Sequence, residues 1–420
     1  MLHAVNEHAI MSSETIPRRA RPLSTVNRTF PMRPFSALFV LIGTLLTACG
    51  YGATFLFSMH FRTLGGNDLD TGEALAGAMI GTFIGVPLVG WFAQRVGAAR
   101  MTALSALCVG IGVAGFAIID RVSPLNVVPG FLVGFGWGAF YLAAPMALAE
   151  RTSDAERGRW FLRFGTFQMA GMGGGPAVAA FTIRNWHWTV DNVLYIVGGL
   201  CVIAALMLEI FGRLAPRTHA SPVQERWLRD IRAIARTRAV YPIVMIALGA
   251  CVFSGLMTFQ MSMVQGTRAQ AGTFFSVYAV TVIATRWLLG QFVIKVRREA
   301  AIKVLFVLMV LGIASMFAVP YHVGFHTAGA VLLGTGYGLV YPIIQTQAVN
   351  DAETTHRNAA LTWFVTSYFI GVFGFPALGG WVLVHMGKST LLMLITACGL
   401  AALMLAIVRD KRSADALSNA

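Results

Sequence analysis

The sequence predicts an all-α integral membrane protein whose twelve transmembrane helices form two pseudo-symmetric six-helix bundles. Three observations support this prediction: the composition, the spacing of apolar stretches, and an internal repeat. Apolar residues make up 56% of the 420 positions, charged residues only 12%, and the mean hydropathy is +0.68. A soluble protein of this size would expose more charge, so these values indicate a chain embedded in lipid.

Apolar stretches follow one another along most of the chain. Each is roughly 19 to 25 residues long, which is the length a helix needs to cross about 30 Å of hydrocarbon. In chain order we predict spans at 36–60, 74–93, 101–120, 126–149, 160–182, 190–212, 240–263, 271–293, 303–321, 326–349, 358–382 and 389–408.

The internal repeat relates residues 130–182 to residues 330–382 without a gap. The matching pairs lie 200 positions apart and include Gly134/Gly334, Gly136/Gly336, Gly138/Gly338, Tyr141/Tyr341, Arg157/Arg357, Phe164/Phe364, Thr166/Thr366, Gly171/Gly371, Gly174/Gly374 and Pro176/Pro376. Because the register continues through a charged loop and a proline, chance matching of glycines does not explain it. A duplicated membrane half is typical of transporters whose two bundles rock about a central site.

Basic residues orient the predicted bundle. Of 32 Lys and Arg residues, 26 lie in the two tails and the even-numbered connections, whereas five lie in odd-numbered connections and one, Arg286, lies inside the eighth span. The positive-inside rule therefore places both termini in the cytoplasm. The net charge of +14 belongs to these short loops and does not indicate nucleic-acid binding.

Five segments follow from these boundaries. A cytoplasmic tail (1–35) precedes the first bundle (36–212), a basic linker (213–239) leads to the second bundle (240–408), and a short cytoplasmic tail (409–420) ends the chain. The linker is either a solvated connection or, over 223–234, a helix on the inner membrane surface. All five cysteines lie within spans, so neither a disulfide framework nor a metal site is predicted.

Two loop motifs resemble the Gly-x-x-x-Asp-Arg-x-Gly-Arg-Arg loop of the major facilitator superfamily. The second span ends in GWFAQRVGAAR at 90–100, and the eighth ends in RWLLGQFVIKVRR at 286–298. GMGGGP at 171–176 resembles the Gly-Pro segment of that superfamily's antiporters, and GVFGFP at 371–376 repeats it. The resemblance covers about residues 36 to 408 and implies alternating-access transport by the two bundles, without a cofactor and without enzymatic activity.

The sequence departs from this family pattern at informative positions. Gln94 occupies the position of the loop aspartate in the first half, and Ile294 occupies it in the second. Gly130 and its repeat mate Ala330 occupy the position where antiporters tend to carry an arginine. These departures weaken the charge pairing expected at the loop and put a standard proton-antiport relay in doubt.

Hinge or gate roles are predicted for the glycines, prolines and basic residues of these motifs. Glycines four residues apart let helices approach closely, and proline removes a backbone hydrogen bond so that a helix can bend. Ordinary packing is the alternative. The candidates are Gly90, Gln94, Arg95, Gly97, Arg100, Gly171, Gly175, Pro176, Gly290, Lys295, Gly371 and Pro376.

Carboxylates are scarce in the predicted spans, which leaves few candidates for proton coupling. Glu73, at the outer start of the second span, is the one that we predict to carry the coupled proton. A carboxylate on the substrate is a second candidate. Alternatively, Asp68, Asp70 and Glu73 are acids of a solvated loop, one of them capping a helix.

Arg286 is the most unusual charge because intramembrane arginines are costly and usually functional. It is either a counter-ion for an anionic substrate or an anchor that reaches the inner membrane surface.

The superfamily lines its cavity with helices 1, 4, 7 and 10, aided by 2, 5, 8 and 11. Transferred by helix, this arrangement implies a neutral, aromatic and amide-rich cavity for a medium-sized polar ligand, although single aromatics often only pack. Its candidates, with Arg286, are Tyr51, Trp137, Tyr141, Gln168, Gln260, Tyr278, Tyr337, Tyr341, Gln345 and Tyr368.

Within the superfamily, scattered residues of the second half, such as the run YGLVYP at 337–342, look most like bacterial exporters of siderophores and opine-type metallophores. This resemblance implies proton-driven efflux of a polar chelator by a monomer in the bacterial inner membrane, in contact with lipid. Drug or metabolite efflux and uptake of an organic acid or sugar are alternatives within transport. A non-transporting membrane sensor is the alternative from another class.

Overall fold

The computed structural model describes residues 34–215, 231–289 and 296–418. Within these ranges the chain forms twelve long helices, numbered here in chain order. They are α1 (Phe35–Thr63), α2 (Asp68–Val96), α3 (Ala98–Ile118), α4 (Val127–Ala149), α5 (Asp154–Asn185), α6 (Val190–Leu214), α7 (Val240–Thr258), α8 (Ala271–Leu288), α9 (Arg298–Phe317), α10 (Gly324–Asn350), α11 (Ala359–Met386) and α12 (Lys388–Ser418).

Eleven of these described helices are long and apolar enough to cross a membrane. The remaining helix, α5, has 32 residues, but its charged first turns, its glycines and Gln168 lower its hydropathy. Together they confirm the predicted all-α fold of twelve membrane helices.

Several boundaries differ from the predicted spans. Helix α2 begins at Asp68, six residues earlier than predicted, because Asn67 and Asp70 form a capping box at its start. Helix α12 continues to Ser418 through much of the segment predicted as a tail. Of the predicted linker, the structure describes 213–215 and 231–239, which include a short helix at Ile231–Ala235. The predicted surface helix falls mostly on 216–230, outside the described residues, as do residues 1–33 of the N-terminal tail.

The predicted pseudo-symmetry holds in the packing of the two halves. In the first half α1 packs on α5 and α6, α2 on α4, and α3 on α4 and α6. In the second half α7 packs on α11 and α12, α8 on α10, and α9 on α10 and α12. Adding six to each helix number of the first half therefore gives the second.

Between the halves, α2 packs against α11 and α5 packs against α8. Small residues permit both contacts: Gly380 lies against the backbone of Asp68, Gly72 against Pro376, and Gly173 against Ala279. Inside a bilayer the hydrophobic effect does not drive helices together. Membrane helices instead associate through close packing of their backbones at small residues.

Three helices are interrupted. Helix α1 narrows to a 3₁₀ turn at Ala53–Leu56, and α7 breaks at Phe259 before a short helix at Gln260–Val264. Helix α11 widens to a π turn at Ile370–Gly374, directly before Pro376, whose missing N–H removes one α-helical bond. Helix α5 runs through Pro176 as continuous α-helix, so the two repeated proline segments differ in conformation.

Candidate functional site

Two stacked ring pairs lie at the centre of the bundle, one in each half. Tyr51 of α1 stacks on Trp137 of α4 with ring centroids 4.7 Å apart, and Phe253 of α7 stacks on Tyr337 of α10 at 4.7 Å. Trp137 and Tyr337 are repeat mates. Phe253, which sequence reasoning did not single out, takes the place of Tyr51 in the second half.

Further tyrosines continue this cluster across the boundary between the halves. Tyr141 of α4 and Tyr341 of α10, repeat mates 200 positions apart, are hydrogen-bonded through their hydroxyls. Tyr141 also stacks on Tyr368 of α11 at 5.7 Å and meets Phe369 edge-on at 5.4 Å. The structure therefore brings six of the predicted cavity residues into one aromatic cluster: Tyr51, Trp137, Tyr141, Tyr337, Tyr341 and Tyr368. Tyr337 joins the others through the rings of Phe253 and Phe55.

Two polar atoms of this cluster are buried without a hydrogen-bond partner. They are the indole nitrogen of Trp137 and the hydroxyl of Tyr337, on side chains that are 0 to 5% exposed. An unsatisfied buried donor or acceptor costs about 1–3 kcal/mol, so native structures contain few of them. Trp137 and Tyr337 therefore leave one buried polar atom in each half without a protein partner.

Arg286 lies in the last turn of α8, half-buried beside the same cluster. Its Nε donates to the carbonyl of Gly338 on α10 at 2.8 Å, and the tyrosines that act on it electrostatically are Tyr278, Tyr141, Tyr341 and Tyr337. Within the part of the chain that the structure describes, no carboxylate lies within 4 Å of the guanidinium. The described hydrogen bond of this cation is therefore to a backbone carbonyl, with tyrosines nearby.

The predicted amide residues lie apart from one another. Gln260 is fully buried at the start of the short helix that follows α7, where its Oε1 lies 3.0 Å from Nε2 of His326, also fully buried. The remaining amide nitrogen of Gln260 and ring nitrogen of His326 have no partner. Gln168 is buried on α5, and Gln345 is half-buried one turn beyond Tyr341. Among the described residues, no hydrogen bond joins these amides to one another.

Polar side chains join the two halves on one side of the bundle. We call the side with the loops at 64–67 and 265–270 the odd-loop face, and the side with both ends of the described chain the even-loop face. Arg62 donates to Asp68 at 2.9 Å within the first half, and to Ser262 at 2.7 Å and Gln265 at 3.0 Å in the second. Ser262 in turn donates to Asp68 at 2.6 Å.

Asp68 is the centre of this network. Its carboxylate is 3% exposed and also accepts a hydrogen bond from Ser58. Asp70 caps α2 through the backbone N–H of Asn67 at 2.7 Å, as expected for a capping acid. Glu73 is exposed on the surface of α2. Of the three acids, Asp68 is therefore buried, whereas Glu73, which we predict to carry the coupled proton, is exposed.

On the even-loop face, the ion pairs between described residues lie within one half each. Arg151 contacts Glu150 at 3.1 Å and donates to the carbonyl of Ala215 at 2.9 Å, which joins α4 to the end of α6. In the second half Arg409 of α12 forms a bidentate pair with Asp351, at the end of α10, at 2.7 to 3.0 Å. Arg151 and Asp351 are 200 positions apart, so opposite charges support the same helix ends in the two halves.

The motif glycines in the described part of the chain either pack closely against another helix or end a helix. Gly171 and Gly371 make equivalent close contacts, because a Cβ on either would meet a carbonyl oxygen, that of Leu45 or of Ala247. A Cβ on Gly175 would lie 3.0 Å from the Cα of Cys49. Gly97 ends α2 with φ of 90°, a conformation that favours glycine.

The basic residues beside Gly97 face the surface. The guanidinium of Arg95 lies 3.6 Å from the ring centre of Trp91, and Arg100 lies 3.5 Å from Glu209 of α6. Gly90 and Gln94 lie in the last turns of α2, whereas Gly290 and Lys295 lie outside the described residues. Hinge and gate roles for the whole set stay predictions.

Histidines do not form a metal centre in the described chain. His60 lies 2.9 Å from Asp191 and is fully buried, and no group of three His, Cys, Asp or Glu side chains within the described ranges could hold an ion.

A family model described as Major Facilitator Superfamily matches residues 40–376, which cover more than half of the chain. The chain belongs to the major facilitator superfamily. The match agrees with the twelve-helix fold, the repeated halves and the loop motifs. It also confirms that this superfamily member is a transporter rather than an enzyme.

Solved structures with the same fold include three transporters. The nucleoside transporter NupG is 16% identical with a TM-score of 0.72, over 90% of this chain and 99% of its own. The POT family transporter PepTSo is 13% identical with a TM-score of 0.73, over 92% and 99%. A D-xylose-proton symporter is 17% identical with a TM-score of 0.69, over 88% and 97%. A search of curated proteins finds no match to this superfamily member.

Proposed function

We propose that the protein is a secondary active transporter that exports a polar small molecule by alternating access, driven by the proton gradient. The observation that carries this proposal is the aromatic cluster of Tyr51, Trp137, Tyr141, Tyr337, Tyr341 and Tyr368, where unpaired donors are buried between two symmetric halves. Substrate sites at the interface of repeats, near the membrane centre, are the rule for such transporters.

The polar contact on the odd-loop face supports alternating access. Arg62, Asp68 and Ser262 join the halves there. If basic loops mark the cytoplasm, this contact closes the outer face of the bundle. Rocking about the central cluster would then exchange one closed face for the other.

A siderophore or metallophore is the substrate that we favour. The tyrosine hydroxyls, the indole N–H and Arg286 suit a ligand with rings, hydrogen-bond acceptors and negative charge, as chelators have. Solved transporters of this fold include a nucleoside transporter, a POT family peptide transporter and a D-xylose-proton symporter, so a polar organic solute is within the range of the architecture. Efflux of drugs or metabolites is the second candidate, because the same groups would bind many aromatic compounds.

Glu73 is the proposed proton carrier, and the bacterial inner membrane, with both termini in the cytoplasm, is the proposed location. Asp68, buried in the contact between the halves, is an acidic alternative that the structure adds.

Deleting the gene in its host and comparing metabolites inside cells with those in the medium, under iron or zinc starvation, tests the proposal. Retention of a chelator inside the deletion strain supports export. Loss of uptake of a supplied organic acid or sugar would instead indicate import. An unchanged metabolite distribution under all conditions would favour a non-transporting sensor.

A further inference from the structure

The aromatic contacts that cross the boundary must break when the halves part on the even-loop face. Tyr141 loses its stack on Tyr368 and its edge contact with Phe369, and Tyr51 loses its edge contact with Phe373 at 5.9 Å. Aromatic pairs favour each other by about 0.5–1.5 kcal/mol beyond area burial. A flat ring inserted between Tyr141 and Tyr368 would replace the contacts that both tyrosines lose.

The positive charge of Arg286, beside these rings, favours a ligand with a negative charge. Arg286 uses only its Nε, in the bond to Gly338, and neither of its Nη groups has a hydrogen-bond partner among the described residues. A guanidinium presents parallel donors that fit two oxygens of a carboxylate or phosphate. With no described carboxylate to neutralise Arg286, an anionic group on the ligand is its natural partner.

The unpaired polar atoms of the cluster determine which hydrogen-bonding groups the ligand needs. The indole nitrogen of Trp137 can only donate, and its side chain is 0% exposed. The hydroxyl of Tyr337 also has no partner and stands on the opposite half. A ligand that satisfies Trp137 must therefore offer an acceptor, such as a ring nitrogen, a carbonyl or a phenol oxygen.

We propose that the central site takes a flat aromatic anion that carries hydrogen-bond acceptors, with its ring between Tyr141 and Tyr368 and its anionic group at Arg286. This inference rests on the proposed function, because it assumes that the cluster is where the transporter binds its substrate. It excludes neutral sugars, which have neither a flat ring nor a charge, and aliphatic acids, which lack the ring.

Three probes separate the contributions of ring and charge. Isothermal titration of the purified full chain compares 2-naphthoate, which is flat and anionic, with 2-naphthamide, which is flat and neutral, and with decalin-2-carboxylate, which is anionic but not flat. We expect 2-naphthoate to bind about tenfold or more tightly than 2-naphthamide, as the loss of one charge-assisted hydrogen bond implies. We expect it to bind about two- to tenfold more tightly than decalin-2-carboxylate, as the loss of one ring stack implies. Absence of binding by all three probes, or equal binding, overturns the proposal.

Variants assign the two contributions to residues. Arg286→Gln should remove the preference for the naphthoate over the naphthamide, and Tyr368→Leu should remove the preference for the naphthoate over the decalin acid. Arg163→Gln, which changes an exposed arginine of α5, should keep both preferences. Tyr368→Phe, which retains the ring, and Arg286→Lys, which retains the charge, provide folded comparisons if the larger changes lower stability. Persistence of the charge preference in Arg286→Gln would refute the role of Arg286.

The two proposals fail separately. If the deletion strain retains an aliphatic or neutral metabolite, transport stands and the aromatic-anion class is wrong. If no metabolite is redistributed, the export proposal fails whatever the titrations show.

Discussion

Tyr141 and Tyr341 occupy the same position in the two halves of the sequence and are hydrogen-bonded to each other in the fold. Two equivalent residues can meet in this way only where the pseudo-two-fold axis passes between them. The contact therefore lies at the boundary about which the halves would rock. This hydrogen bond joins the two halves and does not connect residues within either half.

Removing either hydroxyl should weaken this one contact. We expect Tyr141→Phe and Tyr341→Phe each to lower stability by about 0.5–1.5 kcal/mol, the usual net value of one hydrogen bond. The double variant should lose no more than a single one, because both changes remove the same bond. Thermal unfolding in detergent measures the cycle, and Tyr321→Phe, at an 88% exposed tyrosine, is the control. Additive losses in the double variant would contradict a shared bond.

The odd-loop face depends on Ser262 and Arg62. Ser262→Ala removes one hydrogen bond to the Asp68 carboxylate, and Arg62→Gln removes the cation that reaches both halves. Hydrogen bonds to charged groups contribute about 1.5–3 kcal/mol, so each change should raise the open population about ten- to a hundredfold. Pulsed electron paramagnetic resonance between spin labels at positions 63 and 268, in a cysteine-free background, reports this opening.

Arg121→Gln is the matched control for that measurement, since Arg121 is an exposed arginine of the loop between α3 and α4 on the same face. It should leave the distance distribution unchanged. If Ser262→Ala and Arg62→Gln behave like Arg121→Gln, the network does not hold the halves together.

Gly171 tests the repeated helix contact. Gly171→Ala places a Cβ against the carbonyl of Leu45, whereas Gly174→Ala points into open space. Overpacking typically costs about 1–3 kcal/mol, so the first variant should unfold at a lower temperature and the second should match wild type. Equal stability of the two variants would mean that α1 and α5 can move apart without cost.

The internal repeat predicted a large part of this fold. Gly171 and Gly371 were expected to permit close helix packing, and they contact equivalent residues of α1 and α7. Phe253 could not be found in this way, for two reasons. A phenylalanine in an apolar span carries no signal, and the α1 and α7 contacts are offset by 202 positions, as Cys49 and Cys251 show, rather than by 200.

The contact of Asp68 with Ser262 was also beyond sequence reasoning. These residues are 194 positions apart and lie in different halves. Their proximity depends on how the halves meet, which neither hydropathy nor the repeat determines. The sequence therefore predicted the helices and the central aromatics, whereas the polar contact that closes one face required the assembled structure.

Glu73 remains the proposed proton carrier, and its role can be separated from that of Asp68. Glu73→Gln should abolish transport driven by a pH gradient but leave substrate exchange intact, because exchange needs no net proton movement. Proteoliposomes loaded with the substrate found in the metabolite comparison measure both activities. Wild-type pH dependence in this variant would make Glu73 a solvated acid, and Asp68→Asn would then test the buried carboxylate.

Membrane orientation is the last prediction, and it rests on the 26 basic residues of the tails and even-numbered connections against five on the other side. Reporter tags at both termini should be cytoplasmic, and a tag after Gly66 or Trp186 should be external. These two positions lie in the loops after α1 and α5, so both report the odd-loop face. Termini on opposite sides would require an odd number of spans and contradict the symmetric pairing of α1–α6 with α7–α12. If both termini are external, the fold stands, but the face that Arg62, Asp68 and Ser262 close is then the cytoplasmic one. The proposed direction of access would reverse as well.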